Sequence, residues 1–233
     1  MTIATPSSGD HLDSELISLP VADWSPNRRW IILLSPIAVL IICQAIGRLV
    51  ASSFGNSAIY PWLLVYWATI GSLIAWGGGR EAIRRWASPP RGAWGWSALA
   101  LVFVPLAFYT TLPAWRFLGS GWLWLPWLLF PLFNAVIEEG YWRGLLIDAG
   151  ERWPGWMIIF YSSILFGFNH ASLGIFVIAE RSLVPIVFQV VFGLVMAVVY
   201  WKTRSLRWVV VGHALVNWLG LSMVILLNLY VPG

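Results

Sequence analysis

Residues 134–144 read NAVIEEGYWRG and follow a long apolar run. The stretch places two adjacent carboxylates, Glu138 and Glu139, and one arginine, Arg143, in a segment that otherwise suits a membrane helix. A charged side chain near the middle of such a helix costs about 2.5–3.5 kcal/mol on insertion scales. A helix that only had to cross the bilayer would not carry this cost. We therefore expect the rest of the chain to shield these charges from lipid.

The composition is that of an integral membrane protein. The 233 residues are 59% hydrophobic and only 10% charged, whereas about 25% of the residues in a soluble domain are charged. The net charge is only +4, and the basic residues lie in short loops between apolar runs. We therefore expect membrane lipid as a partner and no binding of nucleic acid.

Seven apolar segments predict an all-α, polytopic transmembrane bundle of about seven membrane helices, with eight as the alternative, because about 20 residues are needed for each span. The segments cover about 30–53, 58–76, 94–112, 122–146, 154–176, 183–201 and 208–230. Residues 1–27 are acidic and rich in Ser and Pro, so we expect a disordered tail there. Residues 28–233 then form one transmembrane domain.

The loops between the segments predict the orientation. Alternate loops are basic, and the basic side carries Arg28 and Arg29, residues 80–91, Arg152 and residues 202–207. Because basic loops stay in the cytoplasm, we expect a cytoplasmic N-terminus, and we place the protein in the plasma membrane of a prokaryote.

Few other polar residues lie deep in the apolar segments, and an intramembrane ionisable residue indicates function. His170 lies in the fifth segment, and His213 and Asn217 lie one helical turn apart in the seventh. Glu139 and Arg143 are also one turn apart, so they can pair on one face. This pairing leaves Glu138, about 100° around the helix, as the carboxylate available for chemistry.

Two chemical routes are open to these residues. A carboxylate and a histidine can hold and deprotonate a water molecule, while a second histidine and an amide donate hydrogen bonds to an oxyanion. Alternatively, Glu138, His170 and His213 could bind Zn²⁺, since two histidines and one glutamate form a known catalytic zinc shell. Both routes end in hydrolysis of a peptide bond.

The residues resemble the CPBP family of intramembrane proteases, also called the CAAX protease and bacteriocin-processing or Abi family. Its three motifs are Glu-Glu-x-x-x-Arg, Phe-x-x-x-His and His-x-x-x-Asn. They match residues 138–143, 166–170 and 213–217, in that order and on separate segments. The resemblance covers about residues 122–217, which form the motif core of a CPBP-like protease domain.

The resemblance implies an intramembrane endopeptidase acting on a membrane-associated or lipidated peptide or protein. Eukaryotic members remove the last three residues of prenylated CAAX proteins. Carried over to this chain, Glu138 activates water with His170, and His213 and Asn217 stabilise the oxyanion. Glu139 and Arg143 support the site or orient the substrate, and Phe166 walls it. The family is described both as metal-dependent and as glutamate-dependent, so the cofactor is either Zn²⁺ or none.

A non-enzymatic protein is the alternative: a scaffold, an immunity protein or a proton-coupled transporter that uses the same polar cluster. A peptidase requires an accessible cavity, which we expect near the cytoplasmic half, whereas a scaffold leaves the cluster packed shut. One difficulty is depth. Glu138 lies closer than His170 to the turn at about residues 149–153, by several residues at 1.5 Å each.

Overall fold

A computed structural model describes residues 24–119 and 121–230, and nearly all of the described chain is helical, with no strand. Residues 1–23 of the predicted tail lie outside the described residues. The helices are α1 (Pro26–Phe54), α2 (Ile59–Gly77), α3 (Gly79–Trp86), α4 (Trp94–Leu99), α5 (Val104–Thr111), α6 (Trp124–Glu139), α7 (Leu146–Ala149), α8 (Gly155–His170), α9 (Leu183–Thr203), α10 (Arg207–Leu219) and α11 (Ser222–Leu226).

Five helical stretches in the described residues are long and apolar enough to cross a membrane. They are Pro26–Phe54, Ile59–Gly77, Trp94–Gly119, Gly155–Ile175 and Leu183–Thr203. The all-α membrane architecture is therefore confirmed, and the count of seven or eight spans stays a prediction. The remaining predicted segments, the fourth and the seventh, contain the Glu pair and His213.

The Glu pair lies at a change of helix type. α6 ends at Glu139, and residues Gly140–Leu145 form a π-helical turn that leads into α7. All six residues of this turn are buried. π-turns are rare, and they occur frequently at functional sites. Here the turn follows directly after the two carboxylates and contains Arg143.

Glycines permit the helices around the site to approach one another closely. A Cβ on Gly212 would lie 2.1 Å from the carbonyl oxygen of Ala100, and one on Gly144 would lie 2.7 Å from the Trp86 ring. At Gly167 it would lie 2.3 Å from the Val190 side chain. These glycines are therefore close-packing positions between helices.

A buried carboxylate holds the basic end of the bundle together. Asp148 accepts hydrogen bonds from Arg85 at 2.7 Å, from the Trp86 indole at 2.9 Å and from the Tyr200 hydroxyl at 2.7 Å. These donors lie on α3 and α9, whereas Asp148 lies on α7. The three bonds therefore fix α7, which follows the Glu pair through the π-helical turn.

Candidate active site

Glu138 is buried and held by two side chains. Its Oε1 accepts a hydrogen bond from the Tyr66 hydroxyl at 2.8 Å, and its Oε2 accepts one from the Asn134 amide at 2.8 Å. Asn134 precedes Glu138 by one turn of α6, and Tyr66 lies on α2. The carboxylate is therefore fixed in position by its own helix and by a neighbouring one.

Two indoles extend this network. Trp142 donates its Nε1–H to the Tyr66 hydroxyl at 3.1 Å, so that hydroxyl is free to give its own proton to Glu138. Trp67 donates to the Asn134 carbonyl oxygen at 2.9 Å, which directs the Asn134 amide nitrogen at the carboxylate. An Asn or Tyr that is itself hydrogen-bonded loses rotational freedom, so the network preorganises Glu138.

His213 of α10 lies between the two glutamates. Its Nδ1 is 2.6 Å from Oε1 of Glu139, and its Nε2 is 3.5 Å from Oε2 of Glu138. A carboxylate bound to one ring nitrogen fixes the orientation of the imidazole and the use of the other nitrogen. Glu139 therefore directs Nε2 of His213 towards Glu138.

Glu139 also faces Arg143, as the spacing predicts. Nε of Arg143 lies 3.2 Å from Oε2 of Glu139, and both side chains are fully buried. The guanidinium carbon lies 4.1 Å from the centre of the Phe166 ring, a cation–π arrangement. Phe166 also packs edge-on against His170, with ring centres 4.4 Å apart. Phe166 therefore contacts both Arg143 and His170.

His170 lies at the end of α8, and its tautomer follows from its contact. Nδ1 is 3.0 Å from the Phe166 carbonyl oxygen. A carbonyl oxygen can only accept, so Nδ1 carries the proton. In the neutral ring Nε2 then carries no proton. It can therefore accept a hydrogen bond from a water molecule or receive the proton of that water.

Two amides near the histidines have unused hydrogen-bonding atoms. Asn217 accepts a hydrogen bond from the Ser222 hydroxyl at 3.1 Å, but its buried Nδ2 has no partner among the described residues. Oδ1 of Asn169, the neighbour of His170, is likewise buried without a partner. Leaving a buried polar atom unpaired costs about 1–3 kcal/mol. Such atoms are therefore candidates for contact with a substrate.

One cavity of about 610 Å³ joins these groups. Its lining includes Glu138, His170, His213, Asn217 and Asn169. Glu139, Arg143 and Phe166 do not line it and lie behind the wall. The cluster is not packed shut, so the described part of the chain does not have the arrangement that we expected of a scaffold.

The cavity lies in the half of the bundle away from the basic loops. Its lining includes Trp62 on α2, Thr111 on α5 and Pro185 on α9. Each of these residues lies close to a helix end that is opposite the basic loops. On the basic side of the Glu pair, buried Trp142 and Leu145 fill the space instead. The expectation of a cavity near the cytoplasmic half is therefore wrong if the basic loops are cytoplasmic.

The depth difference between Glu138 and His170 is also accounted for. His213, rather than His170, is the imidazole beside Glu138, and no direct hydrogen bond joins Glu138 to His170 among the described contacts. The two residues instead border the same cavity at different levels. A molecule inside the cavity can contact both.

The zinc alternative fits this geometry poorly. Within residues 24–119 and 121–230, no group of three or more His, Cys, Asp or Glu side chains is placed to hold a metal ion. We therefore derive no step through a metal.

Sequence reasoning missed the partners of Glu138 outside the motifs. Asn134 had a detectable signal, since it stands one helical turn before Glu138. Tyr66 and Trp67 had none, because α2 reads only as an apolar segment. Glu180 lies in the turn between α8 and α9 and lines the cavity, where burial raises its pKa to about 7.

Comparison with known families confirms the resemblance. Residues 120–219 match the family model described as Rce1-like, Type II CAAX prenyl endopeptidase Rce1-like. This range contains all three motifs and every predicted site residue. A search of curated proteins and a search of solved structures found no match. The match supports the resemblance of residues 120–219 to the CPBP/CAAX family of intramembrane proteases.

Proposed function

We propose that this protein is an intramembrane endopeptidase in which Glu138 activates water for attack on a peptide bond of a membrane-associated substrate. The observation that supports this proposal most strongly is the single cavity lined by Glu138, His170, His213 and Asn217. A carboxylate, two imidazoles and an unpaired amide donor around one space form a set suited to amide hydrolysis.

In the first step, Nε2 of His170 and Glu138 hold a water molecule between them. Glu138 accepts one proton from this water as its oxygen bonds to the scissile carbonyl carbon. The C=O electron pair moves to the oxygen, which becomes an oxyanion. Positioned general bases of this kind contribute typically about 10²–10⁴-fold to the rate.

The oxyanion is stabilised by Nδ2 of Asn217 and by Nε2–H of His213, which acts here as an imidazolium because its Nδ1–H already donates to Glu139. Nδ2 of Asn217 is a buried donor without a described partner, and Glu139 holds the other side of the His213 ring. In the second step the C–N bond breaks, and Glu138 returns its proton to the leaving amine. The immediate products are a carboxylic acid and an amine, which become a carboxylate and an ammonium group when the acid proton moves to the amine, and Glu138 is ionised again.

Glu139 and Arg143 act in this proposal as positioning residues. Both are fully buried and neither lines the cavity, which favours a supporting role over contact with the substrate. Glu139 orients His213, and Arg143 balances the charge of Glu139.

The side of the membrane that the cavity faces follows from the charge of the loops and the position of the cavity. With the basic loops in the cytoplasm, the cavity faces the extracytoplasmic half, and we propose that the substrate enters from that side.

Two single-cysteine variants in a Cys43→Ser background test this orientation in intact cells with a membrane-impermeant maleimide. Ser182→Cys at the cavity should be labelled, and Ala87→Cys at the basic end should not. The reverse pattern would refute this orientation.

The activity is tested on purified protein in lipid nanodiscs with a peptide library, and products are identified by mass spectrometry. Wild type should produce cleavage products, and Glu138→Gln should produce none above background. Gln44→Ala serves as the control, because Gln44 bonds Ser172 outside the cavity lining. Cleavage by wild type should persist after treatment with EDTA. Equal cleavage by wild type and Glu138→Gln would refute the proposed function.

A further inference from the structure

Glu180 is a second carboxylate in the cavity wall that the proposed chemistry does not use. It ends the 3₁₀ turn Ile178–Glu180, between α8 and α9. It lines the same cavity as Glu138 and His170. It is part-buried, and its Oε2 is buried without a hydrogen-bond partner among the described residues. Glu180 therefore borders the substrate space, and its Oε2 has no described hydrogen-bond partner.

The neighbouring arginine does not supply that partner. Nε of Arg181 donates to the Gly174 carbonyl oxygen at 3.1 Å, and Arg181 is exposed. No ion pair to Glu180 is found among the described residues. Burial alone raises the pKa of Glu180 to about 7, as expected for a carboxylate whose negative charge is not compensated.

The loop that presents Glu180 is fixed in place. The side chain of Asn228 accepts a hydrogen bond from the backbone N–H of Ile178 at 2.8 Å and donates one to the Phe176 carbonyl oxygen at 2.8 Å. The backbone of Glu180 also lies close against Gly174, where an added Cβ would be 3.0 Å from the Glu180 carbonyl oxygen. Glu180 is thus held at the cavity by contacts on both sides of the turn.

The charge of the cavity determines which substrates suit it. Among the described residues that line it, Glu138 and Glu180 are acidic and none is Lys or Arg. Like charges disfavour each other in a low-dielectric site, whereas a cation is attracted.

We propose that Glu180 binds a Lys or Arg side chain of the substrate, so that the enzyme selects peptide segments with a basic residue near the cleaved bond. The inference rests on the proposed peptidase function and adds its substrate class. A charge-assisted hydrogen bond to the unpaired oxygen would give the selection.

The test compares wild type, Glu180→Gln and Glu180→Lys in nanodiscs on matched peptides that carry Lys, Gln or Glu at each position around one cleavage site. Wild type should prefer the Lys peptide over the Gln peptide by about tenfold or more in kcat/KM at one position, as expected for a hydrogen bond between charged groups. Glu180→Gln should remove that preference, so that the kcat/KM ratio of the Lys peptide to the Gln peptide falls to about 1. Glu180→Lys should prefer the Glu peptide.

Glu81→Gln is the matched control, because Glu81 is exposed on α3 and does not line the cavity. It should keep the wild-type preference. If cleavage depends on Glu138 but the preference is unchanged in Glu180→Gln, the role of Glu180 is refuted and the peptidase stands. If wild type cleaves no peptide, or if Glu138→Gln cleaves equally well, the proposed function itself is refuted. Melting temperatures of all variants establish that each one is folded.

Discussion

Glu139 on α6 and His213 on α10 are in direct contact, with Oε1 of the glutamate 2.6 Å from Nδ1 of the imidazole. The adjacent carboxylate, Glu138, lies 3.5 Å from the other ring nitrogen. The two glutamates of the motif therefore face the same histidine from opposite sides. This arrangement gives them different roles: one orients the ring and the other faces the cavity.

Replacing Glu139 by Gln should lower kcat more than it raises KM. The amide keeps the shape of the side chain but carries no charge, so it binds Nδ1 of His213 more weakly. The orientation of Nε2 is then less well fixed. We expect kcat to fall roughly 10–100-fold, as is typical when a group behind a reacting histidine is lost. Steady-state kinetics on one peptide measure this. An unchanged kcat with a raised KM would indicate substrate contact instead.

Tyr66→Phe should lower kcat by roughly tenfold, because it removes the hydrogen bond to Oε1 of Glu138 and leaves Nε1 of Trp142 unpaired. A hydrogen bond to a charged group is worth about 1.5–3 kcal/mol. The control is Tyr109→Phe, since Tyr109 is 77% exposed. It should behave as wild type. Equal rates for all three proteins would show that the network does not support Glu138.

Gly212→Ala should destabilise the bundle. The new Cβ would lie 2.1 Å from the Ala100 carbonyl oxygen, so α10 must move away, at a cost of about 1–3 kcal/mol. Gly71→Ala is the matched control, because nothing lies within 4 Å of its Cβ position on α2. Alanine there should be neutral or stabilise by up to about 1 kcal/mol. Thermal unfolding in detergent compares the two, and equal melting temperatures would contradict the packing described.

Selection of basic residues should increase with pH. Burial raises the pKa of Glu180 to about 7, so the ionised fraction grows from roughly a tenth at about pH 6 to nine tenths at about pH 8. The kcat/KM ratio of a Lys peptide to a Gln peptide should therefore rise up to tenfold across this range.

The ratio cancels effects of pH on the catalytic step, because the same groups cleave both peptides. The pH dependence of the ratio should vanish in Glu180→Gln. A ratio that does not change with pH in the wild type would contradict the assignment of this titration to Glu180.

The motif residues were predictable from sequence because charge is rare inside apolar segments. Glu139 and Arg143 pair at one-turn spacing, since that pairing depends on α-helical geometry alone. Glu138, His170, His213 and Asn217 line one cavity, since polar faces of membrane helices turn inwards. What these residues do chemically is not contained in their spacing.

The packing around the motifs could not be predicted in the same way. Tyr66 reaches Glu138 from 72 positions earlier in the chain, and nothing in an apolar segment indicates such a contact. The position of the cavity depends on which large side chains fill the bundle. Trp142 and Leu145 fill the basic side, a result of three-dimensional packing that hydropathy does not report.

Helix boundaries differ from the hydropathy pattern for a local reason. The segment at about 208–230 reads as one apolar run, but α10 ends at Leu219 and Leu221 has a left-handed backbone with φ of 50°. A bulky non-glycine residue rarely adopts this conformation, so the break between α10 and α11 has no sequence signal. The same break limits α10 to 13 residues, fewer than a full span requires.

The central claim is that Glu138, and not Glu139, is the base. The most direct measurement is the single-turnover cleavage rate of one peptide by Glu138→Gln and by Glu139→Gln, each as a folded protein in nanodiscs. The account predicts that Glu138→Gln is slower than wild type by about 10³-fold or more, and that Glu139→Gln is at least tenfold faster than Glu138→Gln. Equal losses in the two variants, or the larger loss in Glu139→Gln, would contradict it.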